Sequence, residues 1–389
     1  MKQANNGGSV QGRARRFLQD FGGAAGRLVR QGQLAVVSIV CTGVLVMASG
    51  MSAGAFAAVP DTPRGLCVTP PGTCAQDPVP VKKKYHPGHY MLVYLGSGEP
   101  TPLSVLDTIK GNPNIHGVQI RYLWKQLEPQ KGQYDFSAIE RDLKYLASMG
   151  KRLVVQLNVN GYHGAIIVPD YLRKDPAYEG GIVRDRSGKG WVVKRWNLAV
   201  QDRMGALYRA LAERFDDEPY FEAFNVQETA SPIVCAGADK EPSYSPERYR
   251  DAIMHGMDHM AAAWKKTTAM QWFSYLPCGK QYLADIAAHA AKLGLGIGGP
   301  DLEPGNEGQE TGAYQYYETY KDKVVAGQAV QTPNWGRTWP DGRPVTAQDM
   351  LFYGANTLHL DYIFWLRKSP EFFDKVVPLA ERYPDILGK

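Results

Sequence analysis

From residue 90 to the C-terminus the sequence alternates short, near-continuous apolar runs with longer segments of helical periodicity, eight times in succession. Runs without polar alternation belong to strands buried on both faces, the condition of parallel strands covered by helices. The strand-like runs are residues 90–95, 117–122, 152–159, 221–226, 269–276, 295–301, 324–331 and 361–365. Two architectures satisfy the pattern, an open doubly wound sheet and a closed barrel. The full Gly-x-Gly-x-x-Gly phosphate loop that a dinucleotide-binding open sheet needs after its first strand is missing. The sequence therefore predicts an α/β chain folded as a (β/α)8 TIM barrel, a single catalytic domain over residues 88–389.

Several helices are signed at their ends. After the second run, Ser137 and Glu140 have capping-box spacing, Ile139, Leu143 and Leu146 share a face, and Gly150 stands where a helix-ending glycine is expected. Further helices are expected over residues 198–215, 246–264, 282–293 and 372–380. A long polar excursion from Asn160 through His163, Tyr171, Arg184 and Trp191 separates the third run from its helix, and excursions of that length inside a barrel form a wall of a binding site.

Residues 1–57 read differently. Lys2, Arg13, Arg15, Arg16, Arg27 and Arg30 precede an apolar run from Leu34 to Met47, and Ala55-Phe56-Ala57 presents small residues where a signal peptidase cuts. A cleaved secretory signal is the preferred reading, with residues 1–57 removed and the protein secreted or periplasmic. A retained membrane anchor is the rival, because residues 34–58 are long enough to span a bilayer. Residues 58–87 are rich in Pro and turn formers and end in Val81-Lys82-Lys83-Lys84, which reads as a linker. The formal net charge of +5 is modest and much of the excess lies in this N-terminal region, so no basic face marks a nucleic-acid binder.

Cys67, Cys74, Cys235 and Cys278 make an even set in a chain read as exported, and two disulfides are expected. Pro70, Pro71 and Gly72 shape a tight loop between Cys67 and Cys74, which favours that pair and leaves Cys235 for Cys278. Metal binding is the alternative, but no Cys-x-x-Cys spacing supports it. His255-x-x-x-His259 has metal-ligand spacing on a helix yet lacks the Glu of a zinc-protease motif, and reads as a pair of surface histidines. No metal or cofactor is expected.

With the strands numbered, polar and aromatic residues fall at their carboxyl ends, where barrels keep their chemistry. Arg121 ends strand two, His163 lies beyond strand three, Gln227 and Glu228 follow strand four, Asp301 and Glu303 follow strand six, Gln331 ends strand seven and Trp365 ends strand eight. Gly298, Gly299 and Pro300 bend the chain before Asp301, as a strand end does when it aims a side chain. Asp301 has two readings, a catalytic carboxyl or a cap paired with Arg121. Trp124, Trp191, Tyr275, Trp335, Trp339 and Trp365 lie at strand ends or in the loops after them, where a ring can stack on the apolar face of a sugar. Core packing explains any one of them equally well, and only their shared placement at one rim favours a sugar.

The chain resembles the clan A glycoside hydrolases over most of the predicted barrel. The resemblance rests on Arg121, on the segment from Trp124 through Leu127-Glu128-Pro129 and Gly132 to Tyr134-Asp135-Phe136, on Glu228 and on Trp365. It implies Glu228 as general acid/base and Trp365 as the floor of the sugar site. The family's strand-four Asn is Gln227 here, and its strand-seven nucleophile Glu is unmatched, because that strand carries Gln328 and Gln331. An amide neither attacks an anomeric carbon nor takes up a proton, so either another carboxyl substitutes, with Asp301 and Glu303 the nearest candidates, or the chemistry is lost.

Two functions remain open from sequence. The first is an exported glycoside hydrolase acting on a poly- or oligosaccharide, with Arg121, Trp124, His163, Gln227, Tyr275, Gln331, Trp335 and Trp365 around the substrate. The second is a carbohydrate-binding barrel without turnover. They differ in whether a second carboxyl group faces Glu228.

Overall fold

The computed structural model describes residues 83–94, 99–161 and 164–388. Eight parallel strands close into a barrel: β1 (Gly88–Val93), β2 (Ile115–Leu123), β3 (Arg152–Asn158), β4 (Phe221–Val226), β5 (Thr268–Trp272), β6 (Gly296–Gly299), β7 (Ala326–Val330) and β8 (Tyr362–Leu366). Each pairs with its neighbours in chain order, and β1 pairs with β8 from Gly88 opposite Tyr362 to Leu92 opposite Leu366. That closing ladder excludes the open sheet.

Because side chains alternate along a strand, closure sorts every strand into a lumen set and an outer set. Tyr90, Leu92, Val154, Ala223, Met270, Trp272, Ala329, Tyr362 and Phe364 pack together inside. Met91, Ile120, Val155, Phe224, Ile297 and Ile363 belong to the larger core between strands and helices. The main covering helices are α1 (Ser137–Ser148) after β2, α2 (Leu198–Phe215) after β3, α3 (Pro246–Ala263) after β4 and α4 (Leu283–Leu293) after β5. Shorter helices follow the other strands. Asn197 caps α2 by accepting the Val200 N–H at 3.2 Å, and Ser245 caps α3 by accepting that of Arg248 at 3.1 Å. The polar excursion carries a small antiparallel hairpin, Ile182–Arg184 against Trp191–Val193.

One expected cap is absent. The residue before α1 is Phe136, with no side-chain cap; Asp135 accepts the Ser137 N–H at 3.0 Å and Glu140 pairs with Arg214 at 2.8 Å. The helix begins at Ser137 itself, so its hydroxyl cannot act as the residue before the first turn. Gly150 does take the left-handed conformation that ends this helix, with φ at +69°.

The last residues of the segment read as linker are docked on the barrel. Lys84 donates from Nζ to the carbonyls of Asp216 (3.1 Å) and Glu218 (2.9 Å), and Lys83 to that of Gly294 (2.8 Å). His86 reaches the buried carboxylate of Glu222 through its backbone N–H (2.6 Å) and Nδ1 (2.8 Å), and the Tyr362 hydroxyl donates to the same group at 2.7 Å. Cys235 and Cys278 form the expected disulfide between the loops after β4 and β5, with Cα atoms 6.0 Å apart. Cys67, Cys74 and the whole of residues 1–82 lie outside the described residues.

Candidate active site

The carboxyl end of β4 is held from three sides. Gln227 accepts the backbone N–H groups of Val159 (3.0 Å) and Asn160 (2.9 Å) at its side-chain oxygen. That oxygen is therefore committed to the end of β3 and not directed to a ligand. Arg195, buried at the end of the polar excursion, donates to the carbonyl oxygens of both Gln227 (2.9 Å) and Glu228. Beyond them, Tyr249 donates to the carbonyl of Thr229 at 2.9 Å, and the Thr229 hydroxyl donates to that of Tyr275 at 2.8 Å. The backbone on both sides of the buried Glu228 is thus fixed by hydrogen bonds that would each have to break for it to move.

At the end of β6 the glycines do something other than aim the chain. A Cβ on Gly298 would lie 2.2 Å from the indole nitrogen of Trp272, and one on Gly299 would lie 2.7 Å from the Gln328 amide. They leave room for neighbouring strands. Asp301 is aimed instead by side chains from later loops. The Asn334 amide donates at 3.0 Å to Asp301 Oδ1 and at 3.0 Å to Glu303 Oε1, bridging the two carboxyl groups. The Tyr314 hydroxyl donates to the carbonyl of Asp301 at 2.6 Å and accepts the N–H of Glu303 at 2.9 Å. Arg337 pairs with Glu303 at 2.7 Å, and Asn306 donates to its other oxygen.

Burial pushes the Asp301 carboxyl up to about 6. The Asn334 hydrogen bond pulls against this, the Glu303 and Glu228 carboxylates add to it, and Arg121 opposes it. Glu228 therefore acts electrostatically on Asp301. A desolvated carboxyl among other carboxylates is how an acidic side chain keeps a proton near neutral pH.

Arg121 and Gln331 complete the rim. Arg121 donates to Gln331 Oε1 at 3.1 Å with its guanidinium 4.4 Å from the centre of the Tyr94 ring, and the Gln331 amide donates to the Pro300 carbonyl at 2.8 Å. The other glutamine of this strand, Gln328, points outward and donates to the Tyr317 hydroxyl at 2.7 Å. Below the rim, Gln119, Gln156 and Asn225 form a buried polar layer in which the Gln119 amide donates to Asn225 Oδ1 at 3.0 Å. Gln119 Oε1, both polar atoms of Gln156, Asn225 Nδ2, Asn158 Oδ1, Arg121 Nε and Trp272 Nε1 have no hydrogen-bond partner among the described residues. Buried polar atoms require partners, and these suit water or the hydroxyls of a polar ligand.

The aromatic residues divide. Trp365 is fully buried and belongs to the outer core, because on β8 it is Tyr362, Phe364 and Leu366 that face the lumen. Its indole donates to His89 Nδ1 at 3.1 Å and its ring lies against Trp335, with centroids 6.5 Å apart. The expected floor of the sugar site is therefore a structural residue, moved off the lumen by strand parity. Trp124 is also fully buried, donating to Glu128 at 2.9 Å. Glu128 further accepts the Gly132 N–H at 2.8 Å and pairs with Arg203, so the Trp-to-Glu segment locks its own turn to α2. Tyr275 is half-exposed beside the Glu228 loop, and Trp335 is partly buried under Lys375. His163 lies outside the described residues.

Sequence reasoning missed Arg195, Tyr314, Asn334 and the amide layer. The layer carried a readable signal, since Gln119, Gln156 and Asn225 each interrupt an apolar strand at a lumen position. Arg195, Tyr314 and Asn334 carried none, because each acts from a loop or short helix on a residue distant in sequence.

Fold and site together define a (β/α)8 barrel with a carboxylate-lined mouth at the carboxyl ends of its strands. Solved structures similar in fold include three glycosidases. Endo-glycoceramidase II from Rhodococcus sp. is 12% identical, with 75% of this chain and 76% of that chain covered and a TM-score of 0.46. The catalytic domain of β-amylase from Paenibacillus polymyxa is 13% identical, with 79% and 100% covered and a TM-score of 0.48. The β-galactosidase of Bacillus circulans sp. alkalophilus is 11% identical, with 74% and 50% covered and a TM-score of 0.48. These likenesses are too distant to carry an argument about reaction or residue roles. No protein-family model and no curated protein matches the sequence.

Proposed function

We propose that this protein is an exported glycoside hydrolase acting on a poly- or oligosaccharide, with Asp301 and Glu228 as its two carboxyl groups. The observation that carries the reading is the state of Asp301, a buried carboxyl raised to about 6 that senses both Glu303 and Glu228. The resemblance read from sequence gives the acid's role to Glu228; the raised Asp301 carboxyl suits Asp301 to that role. Protonated Asp301 donates to the glycosidic oxygen as the bond breaks. Glu228 either attacks the anomeric carbon or takes a proton from the attacking water. Glu303, held by Asn334, Asn306 and Arg337, lies beside Asp301 and adds to the upward push on its carboxyl. Sugar hydroxyls supply partners for the lumen amide atoms that have none among the described residues.

A second reading, a sugar-binding barrel without turnover, is favoured by Gln331. It occupies the strand-seven end with an amide that both accepts from Arg121 and donates to Pro300, a combination that an ionised carboxylate cannot make. A panel of polysaccharides and oligosaccharides assayed for new reducing ends separates the readings. Under the first, Glu228→Gln and Asp301→Asn each lose at least about a hundredfold in rate while sugar binding persists. Binding without turnover by the unaltered protein across the panel would establish the second. The anomer released first, read by NMR, assigns Glu228 as nucleophile if configuration is retained and as base if it is inverted.

A further inference from the structure

On the outer shell, where α2 and α3 lie side by side, Asp202 of α2 faces His255 and His259 of α3. Asp202 Oδ1 is 2.7 Å from His255 Nε2 and 3.0 Å from His259 Nε2, and the two imidazole nitrogens are 3.2 Å apart. One turn of helix separates the histidines, so both rings project from the same face of α3. Three ligand atoms from two helices thus converge on a single point. In a tetrahedral zinc site with bonds of about 2.0–2.1 Å, neighbouring ligand atoms stand about 3.3 Å apart. The observed triangle is slightly tighter than that and admits one ion bonded to all three atoms.

Hydrogen bonding alone accounts poorly for this arrangement. A single carboxylate oxygen takes both imidazoles, and the two nitrogens stand 3.2 Å apart, only slightly farther than each stands from the acceptor. A cation between the three atoms meets a lone pair from each.

The backbone of α2 is shaped for the same arrangement. A Cβ on Gly205, one turn after Asp202, would lie 2.5 Å from Cγ and 2.7 Å from Cδ2 of His259. Glycine inside a helix costs about 0.5–1 kcal/mol relative to alanine. Here its missing side chain seats the His259 ring against the α2 backbone with Nε2 turned to Asp202. On α3, Gly256 leaves matching room for Gln201, where a Cβ would lie 2.3 Å from Oε1. The two glycines bring the helices close enough for short side chains to meet.

We propose that Asp202, His255 and His259 bind a divalent transition-metal ion of the zinc class, bracing α2 against α3 with water completing the coordination shell. Two imidazoles and one carboxylate favour Zn2+, Cu2+ or Ni2+ over Mg2+ and Ca2+, which take mostly oxygen ligands. The side chains of Asp202, His255 and His259 are 58%, 39% and 24% exposed, so an ion and its waters reach the site from solvent. The ion's role there is structural, since the site lies on the outer helices and not at the strand ends.

The test uses the full chain without a histidine tag, stripped with a chelator and titrated with Zn2+ against a chromophoric indicator. One equivalent should bind with a micromolar or tighter dissociation constant, unaffected by excess Mg2+. Co2+ in place of Zn2+ should give visible d–d bands, and saturating Zn2+ should raise the thermal midpoint. His255→Gln with His259→Gln should weaken binding at least about tenfold and abolish the bands. Asp202→Asn, a milder change on an exposed side chain, should do the same if the double variant folds poorly. Binding no tighter than millimolar, or unchanged affinity in either variant, would overturn the proposal.

Discussion

Arg121 donates a 3.1 Å hydrogen bond to Oε1 of Gln331, joining the ends of β2 and β7 across the mouth of the barrel. The arginine is also one of the influences that lower the Asp301 carboxyl. Replacing Arg121 by Met should therefore have two separable effects. The unpaired Gln331 oxygen should cost about 1–2 kcal/mol in chemical denaturation. Loss of the positive charge should also raise Asp301 further, moving any activity limb that it controls to higher pH.

If protonated Asp301 is the acid, kcat/KM should fall as pH rises through about 6, approaching a tenfold loss per unit. The neighbours of Asp301 should move this limb in opposite directions. Asn334→Ala removes a hydrogen bond that favours the ionised form, so the limb should shift upward. Glu303→Gln removes a charge that disfavours it, so the limb should shift downward. Rate profiles of the two variants that move together, or not at all, would take the proton away from Asp301.

His89 should make the protein sensitive to mild acid. It is buried on the outer face of β1, where Nδ1 accepts from Trp365 at 3.1 Å and Nε2 lies 3.1 Å from the Tyr383 carbonyl, an arrangement that needs the neutral ring with its proton on Nε2. Burial pushes its pKa down to about 4. A group lowered in the folded state contributes stability that is present above its unfolded value of about 6.5 and lost as pH falls towards 4. Urea unfolding should show about 2 kcal/mol less stability at pH 5 than at pH 7 from this residue. His89→Gln, which cannot titrate, should be less stable at pH 7 but show a smaller difference between the two pH values.

Export is testable from the first 57 residues alone. N-terminal sequencing of protein recovered outside the cytoplasm should begin at Ala58, after the Ala55-Phe56-Ala57 site. Intact chain held in a membrane fraction would instead establish the anchor.

The barrel itself was legible because it depends on local pattern. Uninterrupted apolar runs and the spans of α2 and α3 follow from which residues neighbour one another in the chain, and a strand buried on both faces writes that condition into every position. Glu228, Asp301 and Glu303 could be named for a related reason, since the carboxyl end of a parallel strand is a place that sequence order alone defines. Which way a side chain points there is a different matter. Closing β1 onto β8 set the parity that turned Trp365 toward the helices and left Tyr362 and Phe364 in the lumen. The proton affinity of Asp301 arises from Asn334, Glu303, Glu228 and Arg121, which come from different strands and loops. Asp202 reaches His259 across 57 residues only because glycines let two helices pack closely. Periodicity along one segment carries no record of what another segment brings to it, so these relationships exist only once the chain has closed on itself.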